Sequence, residues 1–185
     1  MRQAGVKTAF VVYDLLPILM PQHFVEGAGA GHAHWLGEVA RADALICISR
    51  SVADELNAWL AQHKPLRPHT PLQVGWFHLG ADVQASNLTT TLDKADEEAL
   101  ARITARPSFL MVGTVEPRKG HAQALVAFEE LWERGTQVHL VIVGKQGWMT
   151  DALAAKLRAH PENGKHLFWI EKAGDAMLEA LYSKC

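Results

Sequence analysis

Short apolar runs, rich in β-branched residues, alternate along this chain with longer stretches whose apolar positions recur every three or four residues. No other feature restricts the fold as much. Strands buried on both faces read as continuous apolar runs, and parallel neighbours need a crossover segment between them. The alternation therefore predicts the α/β class, with parallel sheets and helical crossovers. "KTAFVVYD", "ALICIS" and "LQVGWFHLG" read as strands. Between them "HAHWLGEVARA" and "SVADELNAWLAQH" have helical period, the second with Ser49 or Ser51 available as its cap.

The pattern breaks after Gln84. "QASNLTTTLDKADEEALARITARP" contains no strand-like run, but Asp93, Asp96, Glu97 and Glu98 mark an acid-rich helix start. Beyond it come "SFLMVG", "VHLVIVG" and "HLFWI" as strands, and "HAQALVAFEELWERG", "DALAAKLRAH" and "GDAMLEALYS" as helices. The expected organisation is a first domain over 1–85, a linker with a helix over 86–106, and a second domain over 107–185. Three parallel strands per half leave sheet edges and faces poorly covered, so further sequence is expected at both ends.

Charge narrows the function. The formal net charge is −2 with no long run of either sign, which argues against a nucleic-acid surface spread over the protein; any basic site is local. Cys47 and Cys185 cannot make a disulfide framework, and together with the lack of a signal-peptide pattern at the start this points to the cytoplasm. No stretch approaches the roughly 20 apolar residues of a membrane span.

In open α/β sheets ligands collect at the carboxyl ends of the strands, which singles out three places. The first is the loop from Gly113 to Gly120, "GTVEPRKG". Arg118 and Lys119 stand there just before a helix, whose positive dipole end repels them unless an anion lies between. A phosphate or diphosphate would satisfy both cations and the free helix N–H groups; the competing reading is a solvated loop in which Glu116 pairs with Arg118. The spacing matches neither a P-loop nor a G-x-G-x-x-G fingerprint. The second place is Asp14, where a carboxylate following a strand either orients a sugar hydroxyl or closes an Asx-turn; Pro17 and Pro21 are expected to hold the next segment extended. The third is the histidine group His32, His34, His78 and His121. His32 and His34 do not share a helix face, so no metal site is expected. The Gly-rich stretch Glu26 to His32 reads as a flexible connector, and Trp59 and Trp132 as core.

The order of "VVYDLLPILMP", "ALICISRSVADEL", "FHLGADV", "FLMVGTVEPRKGHAQALVAFEEL", "LVIVGKQGW" and "LEALYSKC" resembles glycosyltransferase family 4, the retaining group 1 enzymes. That resemblance implies the GT-B architecture: two Rossmann-like domains, the second binding a nucleotide-sugar and the first most of the acceptor. It implies that Lys119, six residues after Gly113, contacts the donor diphosphate together with Arg118, Gly113 and Thr114, with Glu116 and Gly144 as secondary members of the donor site. Thr114 stands where many relatives have arginine, and Tyr13 where the family has a histidine before the acidic residue matched by Asp14. Lys119 and Asp14 are the catalytic candidates. The family's Glu-x7-Glu segment would follow Cys185. The implied reaction moves a hexose, such as mannose, from a nucleoside diphosphate sugar to a glycan or lipid-linked acceptor. It needs no cofactor or metal, involves no nucleic acid, and leaves peripheral membrane contact open. The rival readings are a truncated module that binds a nucleotide without catalysis, and another GT-B enzyme such as a sugar-nucleotide epimerase.

Overall fold

The computed structural model describes residues 6–65, 71–80 and 91–185. The chain divides into two compact units, Met1–Asp82 and Val83–Cys185. The last three residues of "FHLGADV" and positions 86–90 of the expected linker lie outside the described residues.

In the first unit, strands β1 (Ala9–Val12), β2 (Ala44–Cys47) and β3 (Gln73–Trp76) form a parallel sheet in that order, with Val12 opposite Cys47 and Cys47 opposite Trp76. The crossovers are a short helical turn α1 (Leu16–Leu19) with helix α2 (Ala28–Val39), and then helix α3 (Arg50–His63). Ser49 is the cap of α3, its Oγ accepting from the Val52 N–H at 3.2 Å. Val12, Leu15, Leu36, Leu45, Leu56 and Trp59 form the core between sheet and helices. Each fully buried aliphatic side chain there contributes about 1.5–3 kcal/mol relative to exposure.

Two expectations fail in this unit, both for the same reason. The segment after Asp14 is not extended: Leu16–Leu19 is helical and Pro21–His23 is a 3-10 turn, each with its proline in the first turn, where the missing N–H is not needed. Nor is Glu26 to His32 a flexible connector, because α2 already begins at Ala28. Glycine inside a helix costs about 1 kcal/mol relative to alanine. At Gly29 packing requires it: a Cβ there would stand 2.7 Å from the carbonyl oxygen of Pro17. Tertiary contact overrides local propensity at both positions.

The second unit contains helix α4 (Lys94–Ile103), strand β4 (Ser108–Val112), helix α5 (His121–Glu133), strand β5 (His139–Val143), helix α6 (Asp151–Ala159), strand β6 (Leu167–Ile170) and helix α7 (Asp175–Lys184). The sheet is again parallel, in the order β4-β5-β6. Every residue of the central strand β5 is buried, and its two-residue period divides the core. Val141 and Val143 pack with Leu100 and Ile103 of α4 and with Met177 and Leu181 of α7. Leu140 and Ile142 pack with Leu125 and Leu157 of α5 and α6, and Trp132 packs against that cluster. The acid-rich start of α4 is capped by Asp93, whose Oδ1 accepts from the Asp96 N–H at 2.8 Å. Edge strands β1 and β4 expose Phe10, Val11, Phe109 and Val112. No helix among the described residues is long and apolar enough to cross a membrane.

Candidate functional site

Beyond β4 and β5 the sheet does not end; it narrows into two loops that run side by side. Gly113 N–H donates to the Val143 carbonyl, Val115 N–H to the Lys145 carbonyl, and Gly147 N–H to the Val115 carbonyl, each at 2.9 Å. Thr150 is buried and its hydroxyl donates to the Val115 and Gly147 carbonyls, both at 3.1 Å. Trp169 Nε1 donates to the Gly144 carbonyl at 2.9 Å. The ligand end of the sheet is therefore held from both sides. Gly113 and Gly144 have φ of +142° and +150°, and a Cβ on Gly144 would fall 2.1 Å from the Gly113 carbonyl oxygen. Only glycine fits where the loops part.

Pro117–Lys119 then forms a 3-10 turn, and Gly120 caps α5 without any side-chain hydrogen bond to the first N–H groups of that helix. Those donors are left available to an anion. Of the two cations, Arg118 is already paired. Its Nη2 lies 2.7 Å from Glu116 Oε1, with Glu116 only 3% exposed and Arg118 26%. The proximity of this buried carboxylate answers half of the puzzle posed by two cations before a helix: Glu116 neutralises Arg118. Lys119 is the half that remains. It is exposed, and its Nζ would lie 3.8 Å from a Cβ placed on Gly113, so six residues of loop bring the ammonium back over the end of β4. Next to it His121 is 2% exposed, and burial, then the charge of Lys119, push its imidazole below the ordinary value.

A cleft of about 470 Å³ opens at these strand ends, lined by Gly113, Thr114, Gly144, Lys145, Glu171 and Lys172 among others. Thr114 is exposed, and its methyl group lies beside Gly147, where a Cβ would approach it to 2.8 Å. Glu171 is bound to Arg158 Nη2 at 2.9 Å, and Arg158 in turn lies over the Trp169 ring at 4.7 Å. Among the described residues the ammonium groups of Lys119, Lys145 and Lys172 have no ion-pair or hydrogen-bond partner. Such a lysine-lined mouth attracts anions. Lys145 and Lys172 carry no motif of their own. The rule that selects the residues after β4 finds them once the ends of β5 and β6 are known.

Asp14 is part of the first unit. Its Oδ1 accepts from the Leu16 N–H at 3.0 Å, closing the Asx-turn, and His32 Nε2 donates to its backbone carbonyl at 3.0 Å. Among the described residues Oδ2 has no partner, so the turn occupies only one of the two carboxylate oxygens. Tyr13 beside it is exposed, as are His34 and His78. Among the described residues no cluster of three or more His, Cys, Asp or Glu side chains is arranged to hold a metal ion.

A larger groove, about 680 Å³, lies at the carboxyl ends of α5 and α6, but its Lys156 and His160 side chains share one carboxylate. Lys156 Nζ lies 2.8 Å and His160 Nε2 2.9 Å from Glu129 Oε1. Since His160 Nδ1 accepts from the Glu162 N–H at 3.1 Å, the proton sits on Nε2 and is donated to Glu129. The Lys156 hydrogen bond, with that of His160, holds the Glu129 carboxyl below its ordinary value of 4.5 against the opposing effect of burial. A carboxyl lowered by folding stabilises the fold above its unfolded value, and that contribution is lost as pH falls through the folded value. Glu129→Gln is accordingly expected to be less stable than the parent at neutral pH and to converge with it as pH drops below 4.5, as read by thermal melts across pH.

Parallel strands that end at a glycine pair beneath an unpaired lysine define an open α/β protein, the class in which ligands collect at the carboxyl edge of the sheet. The family model of glycosyl transferases group 1 matches residues 93–185. Two relatives, each a serotype-specific mannosyltransferase WbdA of Escherichia coli, are 48% identical over 186 residues covering all of this chain. The chain spans 23% and 22% of their lengths. This chain belongs to the group 1 glycosyltransferases.

Proposed function

We propose that this chain is a segment of a retaining glycosyltransferase that moves a hexose, mannose by preference, from a nucleoside diphosphate sugar to a glycan or lipid-linked acceptor. The observation that carries the reading is Lys119, an unpaired ammonium placed over Gly113 at the lysine-lined mouth of the second sheet. As the glycosidic bond breaks, negative charge grows on the leaving diphosphate. Donors fixed in advance stabilise that charge more than they stabilise the bound donor, which lowers the barrier. Lys119 and the uncapped amides of α5 are such donors. Arg118, its charge balanced by Glu116, offers the diphosphate its remaining guanidinium N–H groups, with Thr114 at the loop's open side and Gly113 and Gly144 permitting close backbone approach. Asp14 offers Oδ2 to a sugar hydroxyl. No metal or other cofactor takes part in this reading.

The name of the two relatives supports mannose over the alternatives; a guanosine diphosphate donor is proposed alongside it. Calorimetric titration of the full-length protein with GDP and UDP tests this: GDP is expected to bind and UDP to bind more weakly, with mannose transfer at retained anomeric configuration. Nucleotide binding without sugar transfer would leave a non-catalytic module as the better description, and failure to bind either nucleotide would overturn the donor site.

A further inference from the structure

The Gly-rich stretch before "HAHW" has a use that its composition conceals. Gly29 and His32 lie three residues apart on α2, hence on one face of the helix. Gly29 brings the helix backbone against the chain after Asp14, since a Cβ there would meet the Pro17 carbonyl oxygen at 2.7 Å, its carbon at 3.6 Å and the Ile18 Cα at 3.9 Å. One turn later His32 Nε2 donates to the Asp14 carbonyl at 3.0 Å. The acceptor is a carbonyl, so the ring proton is on Nε2. Trp35 lies beside the imidazole, ring centres 5.2 Å apart.

We propose that Gly29 and His32 form a clamp that positions the Asp14 carboxylate for the reacting sugar; the inference rests on the proposed role of Asp14. The chain is tied on both sides of that residue. The Val12 carbonyl accepts from the Ile48 N–H at 3.3 Å, Leu15 is fully buried, and the Leu16 N–H is bound to Asp14 Oδ1. The remaining freedom is rotation of the peptide after Asp14, and the His32 hydrogen bond removes it. Oδ1 is thereby committed to the turn and Oδ2 is presented at one place. A carboxylate that orients a hydroxyl must be held in this way, because small displacements of a reacting group lower rates steeply. His32 is a positioning residue: it acts through Asp14.

The test uses the full-length protein and the variants His32→Ala, His32→Gln and Asp14→Asn, alone and combined. Asp14→Asn keeps the oxygen that accepts from Leu16 while losing the charge. His32→Ala is expected to lower kcat about tenfold with donor KM within about twofold of the parent, and His32→Gln, which retains an N–H donor, to recover most of the loss. In the Asp14→Asn background His32→Ala should cost nothing further. Deuterium exchange in a peptide covering residues 13–20 should accelerate in His32→Ala and not in His32→Gln. Parental turnover in His32→Ala while Asp14→Asn is slow, or losses that multiply in the double variant, would overturn the clamp. Parental turnover in Asp14→Asn would instead overturn the reading of Asp14 itself.

Discussion

Lys119→Ala in the full-length protein is expected to reduce sugar transfer by about 100- to 1000-fold, the usual consequence of removing one preorganised donor from a developing negative charge. The loss should appear chiefly in kcat, because the ammonium interacts most strongly with the leaving diphosphate in the transition state. Calorimetry should also show weaker GDP binding. The specificity of the prediction lies in its contrast with Arg118. That guanidinium is held by Glu116 at 2.7 Å, so removing it exposes a buried carboxylate and perturbs the loop as well as the charge. Lys119 has no such partner among the described residues, so its replacement is expected to leave the fold intact. A Lys119→Ala variant with unchanged melting temperature, unchanged GDP affinity and unchanged kcat would remove the donor site from this loop.

Gly144→Ala is expected to cost the second unit about 3–5 kcal/mol, since it adds strain at a positive φ to a collision that side-chain movement cannot relieve. The atom met by the new methyl group is backbone: the Gly113 carbonyl oxygen, at 2.1 Å. Either the two loops separate, breaking the hydrogen bonds that join Val115 to Lys145 and Gly147, or the strand ends shift. Both would open the donor loop to limited proteolysis and lower the calorimetric transition of this unit by about 10 °C or more. Gly174→Ala is the control. Gly174 has an ordinary φ of −72°, and nothing lies within 4 Å of a methyl group placed there, so its replacement should stay within about 1 kcal/mol of the parent. Equal melting of the Gly144 and Gly174 variants would mean that the loops are not pressed together.

Much of this protein is legible from residue order. Strand β5, "HLVIV", is buried throughout, and a continuous apolar run of that length has few other places to go in a soluble sheet. The cap of α4 at Asp93 and the location of the Gly113 loop follow from residue types alone. What residue order does not carry is how local signals are overruled by neighbours. Pro17 and Gly29 each signal irregular chain, yet both lie in helix, because Asp14 supplies the first N–H bond of one and the Pro17 carbonyl leaves room for nothing larger than glycine in the other. The loop offered two readings, and residue order does not show that Glu116 pairs with Arg118 while Lys119 stays unpaired among the described residues.

Sequence by itself determined the alternation of strand and helix, and hence the parallel sheets and the edge at which a ligand would bind, because periodicity depends on chain-local geometry and burial. Only the tertiary structure decided which charges are already paired and which are available. Pairing depends on distances between residues far apart in sequence: Arg158 reaching Glu171, Lys156 reaching Glu129, and His32 reaching back over eighteen positions to the Asp14 carbonyl. An electrostatic interaction falls with separation in space, and linear order does not fix that separation.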